Sequence, residues 1–191
     1  MKKWHDFDEV FDAQQMFRLM LEALANPTRR VDIQPCAKRF PAANAPLLAV
    51  GLTLLDNEAG FCVYGDDLLA QTLVSLTLAR LEPPERADFI FVPDARDAGA
   101  VIPLAKSGTP EDPHLGATVV LLDSGAETCP LRLSGAGIDG ITTFAAGTAA
   151  ADALRVRDQQ NHEYPQGIDL IFVTEAGALY ALPRTTRREV C

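Results

Sequence analysis

The first strongly patterned segment of the chain, residues 8–25, repeats apolar residues at spacings of three, four and seven. This spacing predicts an amphipathic helix whose apolar stripe faces the core; the stripe contains Val10, Phe17, Met20, Leu21 and Leu24. Asp6 or Asp8 is placed to cap the start of this helix. Asn26-Pro27 predicts its end, because the residue before a proline is disfavoured in helical backbone.

Four more helices are predicted along the chain. Residues 44–55 are apolar nearly all round, which indicates a buried helix, and Asp66-Asp67 would cap a helix that runs to about residue 78. Residues 94–105 and 149–160 also have a helical pattern. Short apolar runs predict strands at residues 30–33, 61–64, 88–92, 117–122, 131–133, 169–173 and 178–182.

Strands that alternate with helices are typical of the α/β class, and continuous apolar runs indicate central strands covered on both faces. The last two strands are separated by Glu175-Ala176-Gly177, which predicts a hairpin. We therefore expect a three-layer fold with a mixed, mostly parallel sheet and helices on both faces. No internal repeat or long linker divides the sequence, so residues 1–191 are predicted to form a single domain.

Composition and charge narrow the classes of function. Hydrophobic residues make up 48% of the 191 positions and charged residues 23%, which is typical of a globular protein. The net charge of −9 argues against binding to nucleic acid or to an anionic membrane surface. The N-terminal sequence does not resemble a signal peptide, and no apolar run approaches the 20 or so residues of a membrane-spanning helix, so we expect a cytoplasmic protein. Its four scattered cysteines are predicted to be reduced thiols.

Common catalytic motifs are missing from the sequence. Gly135 to Gly140 fits the pattern GxGxxG, but the β-branched and aromatic residues 141–144 that follow are a poor helix start. We interpret this segment as a turn between strands and not as a dinucleotide site. The three histidines are too scattered to predict a metal site, and Lys106 alone lies near a helix-to-loop junction where a Schiff-base lysine could act.

The C-terminal segment carries the most suggestive chemistry. Arg184, Thr185, Thr186, Arg187 and Arg188 place three guanidinium groups and two hydroxyls at the end of a strand. Such groups suit phosphate, phosphonate or carboxylate oxygens. A solvated tail, or ion pairs with the protein's own carboxylates, would explain the same residues.

The first helix contributes a second pair of candidates. Gln14 and Arg18 are four residues apart and share one helix face, so they could contact one ligand or one partner protein. Packing across a subunit interface remains an alternative to ligand binding for Gln14, Arg18, Arg184 and Thr185.

Several blocks, in order, resemble the PhnH family of the bacterial carbon–phosphorus lyase system. They are Asp12-Ala13-Gln14, Phe17-Arg18, Leu21, Ala23 and Pro27; then Leu52 to Asp56, Gly116 to Thr118, Leu131 to Ile138, Pro165 to Leu170, Ala181 to Thr186 and Glu189 to Cys191. The most specific block is Ala181 to Thr186. The resemblance adds Asp56 and Asp169 to the candidate site residues, and Gly135, Gly137 and Gly167 as structural turns.

The resemblance implies a fold like the large domain of pyridoxal-phosphate transferases, without that superfamily's cofactor lysine. It implies a homodimer that associates with PhnG, PhnI and PhnJ. With PhnG, PhnI and PhnL, the family is implicated in transferring the ribose 5-triphosphate moiety of ATP to an alkylphosphonate with release of adenine, before PhnJ breaks the carbon–phosphorus bond. ATP and the alkylphosphonate would be substrates of the assembly, and this chain would bind no metal or cofactor of its own.

Two other hypotheses belong to different functional classes. A stand-alone module could bind a nucleotide or a phosphonate through Arg184, Thr185, Thr186 and Arg18. An active pyridoxal-phosphate enzyme is disfavoured, because the resemblance implies a family that does not carry the cofactor lysine of the pyridoxal-phosphate transferases.

Overall fold

A seven-stranded mixed sheet forms the centre of the protein in the computed structural model, which describes residues 4–124, 127–160 and 163–189. Its strands in spatial order are β1 (Val31–Asp32), β9 (Ala178–Leu182), β8 (Asp169–Thr174), β5 (Thr118–Asp123), β4 (Phe89–Val92), β2 (Gly60–Val63) and β3 (Arg80–Leu81). The strands from β8 to β3 are parallel, whereas β9 is antiparallel to β8 and β1. The predicted α/β class and mostly parallel mixed sheet are confirmed.

Helices cover both faces of this sheet. One face carries α1 (Phe11–Ala25), α2 (Gln34–Ala37), α3 (Ala45–Leu54) and α4 (Asp67–Thr77). The other face carries α5 (Ala98–Val101), with a 3-10 turn on either side at Ala95–Asp97 and Ile102–Leu104, and α6 (Thr148–Gln159). A further 3-10 turn spans Pro113–Leu115.

The central strands alternate their side chains between two hydrophobic cores. In β5, Val120 faces the core under α1 and α3, whereas Val119 and Leu121 face the core under α5 and α6. All three side chains are fully buried. A continuous apolar run is therefore required in this strand, as the sequence pattern predicted.

A second, three-stranded antiparallel sheet lies on the α6 side. It consists of β10 (Arg187–Arg188), β6 (Thr128–Ser134) and β7 (Thr142–Gly147), in that order. The strand predicted at residues 131–133 exists, but the expectation of one sheet was wrong for it, since it pairs with β7 and β10 and not with the central sheet. The glycine-rich segment 135–140 connects β6 to β7, so the turn interpretation is confirmed.

The helix predictions are confirmed in position, with two corrections. Residues 94–105 do not form one helix: they form α5 with its flanking 3-10 turns, and Pro103 interrupts the segment because proline lacks an amide donor. Asp66 caps α4 as predicted, accepting a hydrogen bond from the amide of Leu69 at 2.9 Å. Helix α1 ends at Ala25, immediately before Asn26-Pro27.

The second correction concerns which face of α1 is buried. Met16, Met20 and Ala23 contact the core, but Val10, Phe17 and Leu21 of the predicted stripe are exposed by 70%, 48% and 49%. The apolar side chains of α1 therefore serve two faces, and only one of them packs on the sheet.

Within the described ranges, no helix has the length and apolar character needed to cross a membrane.

Candidate functional site

The C-terminal segment passes from the central sheet to the small sheet and forms the wall of a cleft. Strand β9 ends at Leu182, a turn follows in which the amide of Thr186 donates to the carbonyl of Pro183 at 2.8 Å, and the chain then enters β10. The segment therefore links two sheets, and its side chains are positioned by both.

Arg184 is fixed by Asp169, which opens the neighbouring strand β8. The Asp169 carboxylate accepts hydrogen bonds from the main-chain amide of Arg184 at 2.7 Å, from Nε at 3.1 Å and from Nη2 at 2.5 Å. Nη1 of Arg184 donates to the carbonyl of Pro113. Both side chains are mostly buried, with 17% and 20% exposed, so this pair anchors the turn and leaves little of the Arg184 guanidinium free for a ligand.

Arg157 of α6 organises the same turn from beneath. Only 6% of its side chain is exposed, and it donates to the carbonyls of Leu182 at 3.0 Å, Pro183 at 2.9 Å and Thr186. Burial lowers the pKa of this guanidinium, and the charge of Asp158 opposes that effect. Arg157 was not among the candidate residues predicted from the sequence, although it continues the buried α6 positions Ala150, Ala153 and Leu154 at helical spacing.

These elements enclose a cleft of about 610 Å³, which we call the C-terminal cleft. Its charged and hydroxyl-bearing lining includes Arg157, Asp158, Arg184, Thr186, Arg187 and Arg188. Four guanidinium groups thus face two carboxylates, those of Asp158 and Asp169, in a chain of net charge −9. Burial raises the pKa of Asp158, and Arg157, Arg187 and Arg188 counteract that rise. The cleft is a local region of positive charge.

Two polar atoms in the wall of the C-terminal cleft are buried without a partner. Oγ1 of Thr186, whose residue is 1% exposed, and Nε of Arg188 have no hydrogen-bond partner among the residues that the structure describes. An unsatisfied buried polar group costs about 1–3 kcal/mol. Such groups require an explanation, which an ordered water, an ion or a ligand at the cleft wall would supply.

Glycines allow two loops to approach the C-terminal segment closely. A Cβ on Gly135, where φ is +131°, would lie 2.3 Å from the carbonyl oxygen of Thr185. A Cβ on Gly167, where φ is +144°, would lie 2.9 Å from Cβ of Arg184. Gly137 is equally close to α1, because a Cβ there would lie 2.3 Å from the carbonyl oxygen of Ala25. Larger residues at Gly135 and Gly167 would push these loops away from the C-terminal segment, and one at Gly137 would push its loop away from the end of α1.

The structure brings together Asp169, Arg184, Thr185 and Thr186, but it separates the other candidates from them. Gln14 and Arg18 are exposed on α1 and do not line the C-terminal cleft. Asp56 accepts hydrogen bonds from the amides of Glu58 at 2.9 Å and Ala59 at 3.0 Å, which stabilises the turn before β2. The geometry therefore gives Asp56 a local structural role.

Lys106 forms an ion pair with Asp88, at 2.5 Å between Nζ and Oδ1. The side chain of Lys106 is 25% exposed, and it does not line the C-terminal cleft. In residues 4–124, 127–160 and 163–189, no group of three or more histidine, cysteine or acidic side chains is arranged to hold a metal ion.

A second cleft, of about 540 Å³, lies where β4, β5 and β8 end. Ligands of open α/β sheets commonly bind at the carboxyl ends of the strands. Here, however, the described lining residues include Asp94, Asp123, Glu127 and Glu175, and Arg96 is the cation among them. These acidic surroundings would repel a phosphate or phosphonate, so the C-terminal cleft is the better candidate for an anion site.

Comparison with known proteins identifies the family. A sequence profile described as "Bacterial phosphonate metabolism protein (PhnH)" matches residues 5–189. The chain belongs to the PhnH family. It is also 33% identical over 178 residues to HtxG of Stutzerimonas stutzeri, a protein provisionally described as a C-P lyase subunit; this match covers 91% of the chain and 84% of HtxG. The PhnH match includes every residue described above for the C-terminal cleft.

Proposed function

We propose that this chain is a subunit of the carbon–phosphorus lyase system that acts, with PhnG, PhnI and PhnL, in the transfer of the ribose 5-triphosphate moiety of ATP to an alkylphosphonate. Adenine leaves in this reaction, and PhnJ then cleaves the carbon–phosphorus bond. The observation that carries the proposal is the match to the PhnH family over residues 5–189. The similarity to HtxG supports it.

The proposal also covers the cellular location, the oligomeric state and the ligands of the chain. The chain would be cytoplasmic, would form a homodimer within the assembly, and would bind neither nucleic acid nor a membrane. ATP and alkylphosphonate would be the substrates of the whole assembly, and this chain would hold no pyridoxal phosphate. The likeness of its fold to the large domain of pyridoxal-phosphate transferases stays a prediction.

The exposed face of α1 supports a role as a subunit. Val10, Phe11, Gln14, Phe17 and Leu21 form this face, which we call the α1 face, and its four apolar members are between 48% and 74% exposed. Apolar and aromatic side chains gathered on one exposed surface are typical of protein–protein contacts. We infer that the α1 face packs against another subunit of the assembly, with Gln14 and the adjacent Arg18 at its polar edge.

A growth assay tests the proposal. A strain that lacks this chain should fail to grow on methylphosphonate as its phosphorus source, and the wild-type gene should restore growth. Phe17→Ser should restore growth poorly because it removes an aromatic contact from the α1 face, whereas Leu104→Ser, which alters a leucine that is 42% exposed elsewhere, should restore it fully. Normal growth of the strain that lacks the chain would contradict the proposal.

The alternative function is a stand-alone nucleotide- or phosphonate-binding module. The positive charge of the C-terminal cleft favours the binding of an anion. Anion binding is compatible both with a subunit of the assembly and with a stand-alone module. The two functions differ in assembly, because a stand-alone module would act without the companion subunits.

A further inference from the structure

Two atoms of the C-terminal cleft are suited to donate to a ligand. Thr186 and Arg188 are two residues apart at the entry to β10, and both line the cleft. Oγ1 of Thr186 and Nε of Arg188 are buried and have no partner among the described residues. A hydroxyl and a guanidinium N–H are both hydrogen-bond donors, so two of them in the lining of one cleft suit an acceptor with several oxygens.

The other guanidinium groups of the cleft either hold its walls in place or lie at its rim. Arg157 is occupied by three carbonyls and Arg184 by Asp169 and the carbonyl of Pro113, so these two hold the walls in place. Arg187 is exposed at the rim, where its charge attracts an anion. Of the two carboxylates close by, Asp169 is paired with Arg184, and Asp158 contacts Arg157 at 3.4 Å.

We propose that the C-terminal cleft binds a phosphate or phosphonate dianion, with Thr186 and Arg188 as direct donors and Arg187 as the cation at the rim. This inference rests on the proposed function for its ligand class, because both substrates of the assembly carry such groups. The two donors and the charge of Arg187 by themselves call only for an anion with several acceptor oxygens. In the assembly this group is either the phosphonate or the triphosphate of ATP.

Thr186→Val provides a sharp test because valine has nearly the same shape as threonine and lacks the hydroxyl. Since Oγ1 has no partner among the described residues of the free protein, this substitution should leave the melting temperature unchanged or raise it. The same substitution should weaken anion binding at least about tenfold, as expected for a lost hydrogen bond to a charged group. A merely structural hydroxyl would give the opposite pattern, with a lower melting temperature and unchanged binding.

The binding measurement uses the full chain and phosphorus NMR, with methylphosphonate and inorganic triphosphate as separate probes at millimolar concentration. Arg188→Gln should weaken the binding of whichever probe the wild-type protein binds. Arg155→Gln, which removes the same charge from an exposed position of α6, should leave that binding unchanged. Tighter binding of methylphosphonate would assign the cleft to the phosphonate, and tighter binding of triphosphate would assign it to ATP. Either result supports an oxyanion site.

Two results would overturn the inference. One is no binding of either probe by the wild-type protein, and the other is binding that Thr186→Val and Arg188→Gln leave unchanged. Neither result bears on the proposed function, because retention of the chain by its companion subunits is measured separately and does not require this cleft to hold an anion.

Discussion

Replacing Arg157 with methionine removes the donor from three main-chain carbonyls while it keeps a long side chain in a buried position. Each lost hydrogen bond to a charged group is worth about 1.5–3 kcal/mol. Methionine recovers part of that loss, because it avoids the cost of burying a charge. We therefore expect the free energy of unfolding to fall by about 3 kcal/mol, which lowers the melting temperature by about 6–12 °C in a domain of this size.

The effect should be concentrated in the C-terminal segment. The carbonyls of Leu182, Pro183 and Thr186 all lose their donor, so the turn that they frame opens more often. Hydrogen exchange should then show faster exchange of the Thr186 amide, which bonds to the carbonyl of Pro183 in the native turn. Thermal unfolding followed by circular dichroism measures the global effect.

Arg155→Met is the matched control, since Arg155 lies on the same helix with 47% of its side chain exposed and contacts Asp152 at 3.6 Å. Its substitution should change stability by less than about 0.5 kcal/mol. Equal melting temperatures for the two variants, or unchanged exchange at Thr186 in Arg157→Met, would refute the assigned role of Arg157.

Two further predictions concern titratable groups away from the cleft. Burial alone would raise the pKa of Asp88, but hydrogen bonds from Lys106 and the Gly60 amide lower it. The stabilisation from these bonds is present above about pH 4 and is lost as the pH falls through the lowered pKa. The difference in melting temperature between the wild type and Asp88→Asn should therefore become smaller in acid, and an unchanged difference would contradict the pairing. Burial raises the pKa of the Cys36 and Cys62 thiols, so iodoacetamide at about pH 8 should alkylate the half-buried Cys129 before it alkylates these two. Peptide mass spectrometry measures the alkylation of each cysteine. Equal alkylation rates for the three cysteines would contradict the burial of Cys36 and Cys62.

The central sheet was predictable because its physical signal is local. Strands β5 and β8 must be apolar at successive positions to contact both cores, and such runs are visible in the sequence. The Asp66 cap of α4 is equally local, since the capping carboxylate and its amide partner are three residues apart.

The second sheet and the buried α1 face were less predictable because they depend on partners distant in sequence. Strand β6 alternates buried and exposed residues, which indicates one covered face but does not show which sheet it joins. Helical spacing likewise groups Phe17 and Leu21 with apolar positions of α1, yet it does not distinguish a core from a surface that contacts another protein.

The cleft illustrates the same limit. The cluster Arg184 to Arg188 was visible in the sequence, but the division of labour within it was not. Asp169 pairs with Arg184, whereas Nε of Arg188 has no partner in the described part of the chain, and only the folded protein shows this difference. Arg157 was overlooked because a charged residue in an apolar helical stripe is normally assigned to the surface.

The most direct test of the central claim is the native mass of the complex that the tagged chain retains when it is co-expressed with PhnG, PhnI, PhnJ and PhnL. The account predicts retention in a large complex of fixed stoichiometry. Recovery of the chain alone, as a 20.6 kDa monomer or as a dimer of about 41 kDa, twice the mass of the chain, would contradict its role as a subunit.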